Sequence, residues 1–117
     1  IDDVIESLIR LVKKPATSDI AFNKLKPDPS KSWAKHRIFN VGNSNPTNLM
    51  EYIAALEENL GKTAQKEFLP LQPGDVAATS SDNTLLFKWI GFKPNTSIKK
   101  GVSKFVHWYK TFYKISL

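Results

Sequence analysis

Apolar residues recur along the chain at helical spacing in several places and alternate with polar ones in two others. Val4, Ile5, Leu8, Ile9, Leu11 and Val12 fall close to a helical period, with Asp2 or Asp3 placed to cap the start and Pro15 beyond the end. The spacing predicts a helix over about 2–14. Leu49, Met50, Ile53, Leu56 and Leu60 line one face of a second helix over about 48–60, opened by a capping box of Asn48 and Glu51 and closed at Gly61. Leu85, Leu86, Trp89 and Ile90 predict a shorter helix over about 83–90 that stops at Gly91, with Pro94 just beyond. After Ser97, the repeat Ile98, Val102, Phe105, Val106, Tyr109 and Phe112 predicts the last helix. Arg37–Val41 and Gln65–Leu69 read as short strands, each followed by turn chemistry. Between Lys14 and Lys35 the periodicity disappears and Pro, Ser, Asp and Lys accumulate, as in a long surface loop.

A helix lies between the two strands, which is the spacing of a right-handed crossover with parallel pairing. Two strands alone make a marginal sheet. Further strands are therefore expected upstream, and a chain that opens on Ile1, Asp2, Asp3 and Val4 reads as cut from something longer. The expected class is mixed α/β, in one domain spanning 1–117: about four helices and two short parallel strands.

Composition narrows the chemistry. The 117 residues are 41% hydrophobic and 24% charged, a soluble globular balance, and a core of this size would bury roughly two-thirds of the unfolded chain's surface. There is no cysteine, so disulfides, thiolate nucleophiles and cysteine-based metal sites are excluded. Two histidines, His36 and His107, make a histidine-rich metal centre an unsuitable reading. No apolar run is long enough to span a bilayer, and no signal-like leader is seen. Lysines and arginines outnumber acids to give a net charge of +6, which favours an anionic partner without naming one.

One anionic partner is nucleic acid, met by Lys99, Lys100, Lys104, Lys110 and Lys114 beside Trp108, Tyr109 and Tyr113. The plainer alternative is a terminal helix with aromatics inward and lysines outward, and the stripe of Phe105, Val106, Tyr109 and Phe112 favours it. His107 has no Ser or acidic neighbour in sequence to make it a general base. Asn95-Thr96-Ser97 reads as a turn capping the last helix rather than a glycosylation site. Asp2 and Asp3 serve the helix start, and Glu57-Glu58 a solvated face. The segment Leu71-Gln72-Pro73-Gly74-Asp75-Val76 differs, because Pro73 and Gly74 fix a turn ahead of an expected helix start. There Asp75 could accept from a vicinal diol such as a ribose, and Gln72 could donate to a phosphate or base oxygen. Alternatively, Asp75 only caps its own loop.

An ordered series of motifs favours one reading and leaves the basic nucleic-acid-binding module as the alternative from another class. Ile1-Asp2-Asp3-Val4, Arg37-Ile38-Phe39-Asn40-Val41-Gly42-Asn43, Leu49-Met50-Glu51-Tyr52-Ile53, Leu71 to Val76, Ile90-Gly91-Phe92-Lys93-Pro94 and Gly101-Val102 to Trp108-Tyr109 together resemble the C-terminal part of extended short-chain dehydrogenase/reductase nucleotide-sugar epimerases, above all UDP-glucuronate 4-epimerases. Only the loop from Pro15 to Lys35 and the last few residues carry no part of the resemblance. It implies a small C-terminal substrate-binding lobe of a Rossmann-type enzyme that oxidises C4 of a UDP-sugar with NAD and returns the hydride to the other face. It further implies a cytoplasmic homodimer, partnership with an N-terminal Rossmann half, and neither nucleic acid nor membrane as a partner. Asp75 would then meet the ribose hydroxyls of UDP, while Gln72 stands where related galactose epimerases carry an Arg on the phosphates. Lys99-Lys100 replaces a commonly acidic pair, and Thr79-Ser80-Ser81 departs from the usual Thr-Tyr-Ala. None of Tyr52, Tyr109 and Tyr113 has a Lys four residues on, so neither the catalytic Tyr-Lys pair nor a glycine-rich NAD loop is expected in this chain. A dehydratase or decarboxylase on the same scaffold is the neighbouring alternative.

Overall fold

Four segments complete helical hydrogen bonding in a computed structural model of the chain, which describes residues 1–115: α1 (Asp2–Lys13), α2 (Leu49–Leu60), α3 (Thr84–Ile90) and α4 (Ile98–Tyr113). The ends lie where local chemistry puts them. Asn48 accepts from the Met50 amide at 2.8 Å and opens α2, and Ser97 accepts from the Lys100 amide at 3.4 Å and opens α4. Gly61 and Gly91 close α2 and α3 in the left-handed conformation, φ 68° and 65°, which costs a residue without Cβ nothing. The start of α1 corrects the sequence reading, because its cap position is Ile1. Asp2 and Asp3 lie inside the first turn and favour the helix by charge.

The described chain divides into two compact units, one of residues 1–44 and 80–95, the other of 45–79 and 96–115. In the first, α1 lies against α3. Lys14 and Trp89 clasp the two helix ends reciprocally: the Trp89 indole N–H donates to the Lys14 carbonyl at 3.0 Å, and Lys14 Nζ donates to the Trp89 carbonyl at 2.5 Å. Leu86 is fully buried, and so is Ser7, whose hydroxyl donates to the Asp3 carbonyl one turn back. The loop after α1 is a string of side-chain-closed turns. Asp19, Asn23, Asp28 and Ser32 each accept from the amide two residues on, the local alternative to secondary structure that these residue types favour.

In the second unit α2 packs on α4 through small residues, Ala55 against Val102 and Val106, flanked by Leu56, Leu60 and Ile98. Lys110 donates to the Asn59 carbonyl at 3.0 Å, a cation at the carbonyl end of α2.

Two expectations are corrected here. Neither Arg37–Val41 nor Gln65–Leu69 is a strand; among the described residues the pairing outside the helices is a single antiparallel bridge, Lys31 with Arg37. The mixed α/β class with two parallel strands therefore gives way to a predominantly helical chain. The physical reason is that alternation shapes a strand only where a neighbour completes the ladder, and the two segments fall in different units. The aromatics of α4 are also not turned inward. Phe105, Trp108, Phe112 and Tyr113 are half or more exposed and stack on one another, Trp108 and Phe112 with ring centroids 5.4 Å apart, while the valines take the buried face.

Candidate functional site

Gln72 and Asp75 stand at the two ends of one turn in the second unit. Proline fixes φ at position 73, Gly74 takes φ 88°, and the Asp75 amide donates to the Gln72 carbonyl at 3.1 Å, the pattern of a type II turn. Both side chains are exposed. One carboxylate oxygen of Asp75 accepts from the Val76 amide at 2.9 Å, which orients the group and leaves acceptor capacity facing solvent. The helix start expected after Val76 is absent. The chain continues without regular structure to α3, because 77–83 offers no apolar face to pack.

That irregular stretch instead forms one wall of a cleft of about 720 Å³, with residues 76–79 on one side and residues 45–49 with Tyr52 on the other. The volume lies in the range of small-molecule sites. Its walls mix polar Asn45, Thr47 and Thr79 with apolar Leu49 and Val76, a lining suited to a ligand with both kinds of surface. Gln72 and Asp75 do not line it; the wall begins at Val76, the residue next to Asp75. Sequence reasoning missed these walls, since it used Asn48 only as a cap and 42–46 only as turn chemistry. The signal available was the clustering of Asn45, Thr47 and Asn48 just ahead of a helix.

The carboxylates whose pKa is displaced are held by contacts within their own loops and do not line this cleft. Glu57 is held below the usual carboxylate range by the Lys66 ammonium at 2.5 Å and then by the Ala64 amide at 2.8 Å, which closes the segment after α2. Asp82, in the first unit, is lowered by hydrogen bonds from Thr84. His36 and His107 are both exposed. Among the described residues no group of three or more His, Asp or Glu is arranged to hold a metal ion, and no helix is long and apolar enough to cross a membrane.

No protein-family model matches the chain. Known proteins do. The chain is 46% identical over 114 residues to Protein CapI of Staphylococcus aureus and 48% identical over 115 residues to an uncharacterised 37.6 kDa protein of Escherichia coli O111:H-. It is 36% identical over 118 residues to a probable UDP-glucuronate 4-epimerase of Rhizobium meliloti. These alignments take in 97%, 98% and 97% of this chain, which spans about a third of each relative, 34% in all three. UDP-glucuronate 4-epimerase 5 of Arabidopsis thaliana is similar at 32% identity over 97% of the chain. The motifs from Ile1 to Tyr109 thus lie within a continuous likeness, and over nearly its whole length this chain is a relative of the C-terminal part of nucleotide-sugar epimerases of the UDP-glucuronate 4-epimerase kind.

Proposed function

We propose that residues 1–117 are the UDP-sugar-binding part of an NAD-dependent nucleotide-sugar 4-epimerase acting on UDP-glucuronate, with Asp75 on the ribose hydroxyls and Gln72 toward the phosphates. The observation that carries this reading is the 36% identity over 97% of the chain to a probable UDP-glucuronate 4-epimerase. The turn supports it chemically. Asp75 retains free acceptor capacity for a vicinal diol, and the Gln72 amide, without a partner among the described residues, has two N–H groups to donate. A neutral amide solvates phosphate oxygens without neutralising them, so charge on the diphosphate would be met from outside this turn. The same reading carries a cytoplasmic homodimer and an N-terminal Rossmann half as partner.

NAD supplies hydride chemistry when bound, but the residues here do not fit it. Gly61 and Gly91 close helices and Gly74 turns a loop, and among the described residues no glycine-rich run leads into a helix start. No hydride step is assigned to this chain.

Calorimetric titration of the full polypeptide with UDP tests the assignment. Asp75→Ala is expected to weaken UDP binding on the order of tenfold or more, with Lys100→Ala close to native; equal losses would remove Asp75 from the site. UDP silence together with steeply salt-dependent oligonucleotide binding would select a basic nucleic-acid module instead. With UDP-glucuronate as substrate, a 4-epimer in the product supports the reading, and released carbon dioxide selects a decarboxylase.

A further inference from the structure

Within the first unit a cleft of about 200 Å³ is apolar along Ile38, Leu85 and Trp89 and polar at Ser30, Arg37 and Lys88. Arg37 is its unusual member. Its guanidinium carbon lies 4.5 Å from the centroid of the Trp89 ring, and its Nε is shielded from solvent with no acceptor. Among the described residues its side chain makes no hydrogen bond or ion pair. The carboxylates that feel its charge are committed elsewhere, Asp19 to Lys31 at 3.0 Å and Asp28 to the Ser30 hydroxyl and amide. Ser30 is thereby committed too. A guanidinium resting over an indole ring, with its donors unused, can offer its fork to a planar two-oxygen acceptor.

We propose that this cleft binds a small organic carboxylate, its oxygens taken by the Arg37 guanidinium, its charge further balanced by Lys88 and its carbon chain laid against Ile38 and Leu85. The apolar walls and the single fork argue for a carboxylate with a hydrocarbon body over bare phosphate, which collects more donors than one arginine provides. The proposal stands apart from the UDP assignment, since it uses no residue of the Gln72–Asp75 turn.

Nuclear magnetic resonance titration of the ¹⁵N-labelled chain with sodium butyrate, read at the Arg37 Nε–H and Trp89 indole N–H, tests it. Sodium chloride at matched ionic strength and inorganic phosphate serve as comparisons. Saturable shifts of both signals with butyrate alone are expected. Arg37→Gln should weaken the binding on the order of tenfold or more, and Arg37→Lys, which keeps charge but not the fork, by less. Circular dichroism matching the native chain confirms that each variant is folded; if Arg37→Gln is not, the Arg37→Lys loss and the native titration decide. Equal responses to chloride and butyrate, saturation by phosphate but not butyrate, or undiminished binding in both variants would each overturn the proposal.

Discussion

Replacing Asn83 should unlatch the start of α3 from the Gly42 turn. Asn83 is 4% exposed; its amide nitrogen donates to the Gly42 carbonyl, and its oxygen accepts from the Ser81 hydroxyl at 2.9 Å. The approach is close because position 42 has no side chain: a Cβ there would sit 3.0 Å from Ser81 Cβ. Asn83→Ala removes two hydrogen bonds worth about 0.5–1.5 kcal/mol each and strands the Gly42 carbonyl, so the loss should be about 1–3 kcal/mol. Asn83→Asp keeps the shape but sets a carboxylate, largely removed from water, against that carbonyl. An uncompensated buried charge costs roughly 3–5 kcal/mol, and its place ahead of a helix offsets about 0.3–1 kcal/mol of this. The expected loss at neutral pH is therefore about 2–5 kcal/mol, centred above that of alanine. Burial raises the introduced carboxyl's pKa above its unfolded value. Its penalty is thus full above the folded pKa and is relieved as pH falls below the unfolded one, where the protonated group can also donate to the carbonyl. Urea unfolding of both variants and the native chain, at neutral pH and near pH 4, measures the differences. A gap between Asn83→Asp and native that does not shrink on acidification would refute the reasoning, as would an Asn83→Ala variant as stable as native.

Three further substitutions probe the rest of the chain. The depressed pKa of Glu57 means that its contacts to Lys66 and Ala64 stabilise above the unfolded carboxylate pKa and are lost as pH falls through the folded one; Glu57→Gln should therefore flatten the acid limb of thermal stability, and a lower protection factor at the Ala64 amide, taken relative to the intrinsic exchange rate at each pH, should mark the same loss on acidification. Gly91→Ala meets open space but keeps φ 65° and should cost about 1–2 kcal/mol by backbone strain, whereas Gly101→Ala, inside α4 with Thr96 at ordinary contact distance, should gain about 0.5–1 kcal/mol. Thermal melts of the two glycine variants should move in opposite directions, and a shared direction would contradict this account.

Three of the four helices were legible from their own punctuation, and α1 from its apolar period alone. Asn48, Gly61, Gly91 and Ser97 act within one turn of their own backbone, so no tertiary knowledge is needed to place them. Apart from the α1 cap and the helix start expected after Val76, the misreadings concern partners. Alternation at Arg37–Val41 and Gln65–Leu69 describes a surface that a ladder could use, and a ladder needs a second stretch of chain to pair with. The stripe on α4 was right in period but could not say which part of a broad apolar face turns toward α2; Ala55 admits Val102 and Val106 and leaves the larger rings outside. The Gln72–Asp75 turn was legible from Pro73 and Gly74 alone. The walls of the cleft beside it depend on stretches about thirty residues apart meeting, and no local pattern records that.

The narrow contact between α2 and α4 has a calorimetric consequence. Ala55, Val102 and Val106 are the buried apolar residues of that unit, while Phe105, Trp108, Phe112 and Tyr113 are already wet in the folded state. Unfolding then hydrates little new hydrocarbon, and the heat-capacity increment should fall below the ~12–15 cal/mol/K per residue of ordinary domains. Such a unit has a flat stability curve and a shallow dependence on denaturant. The exposed rings hold the missing increment in reserve: any surface that covered them would release it as a negative heat-capacity change of association.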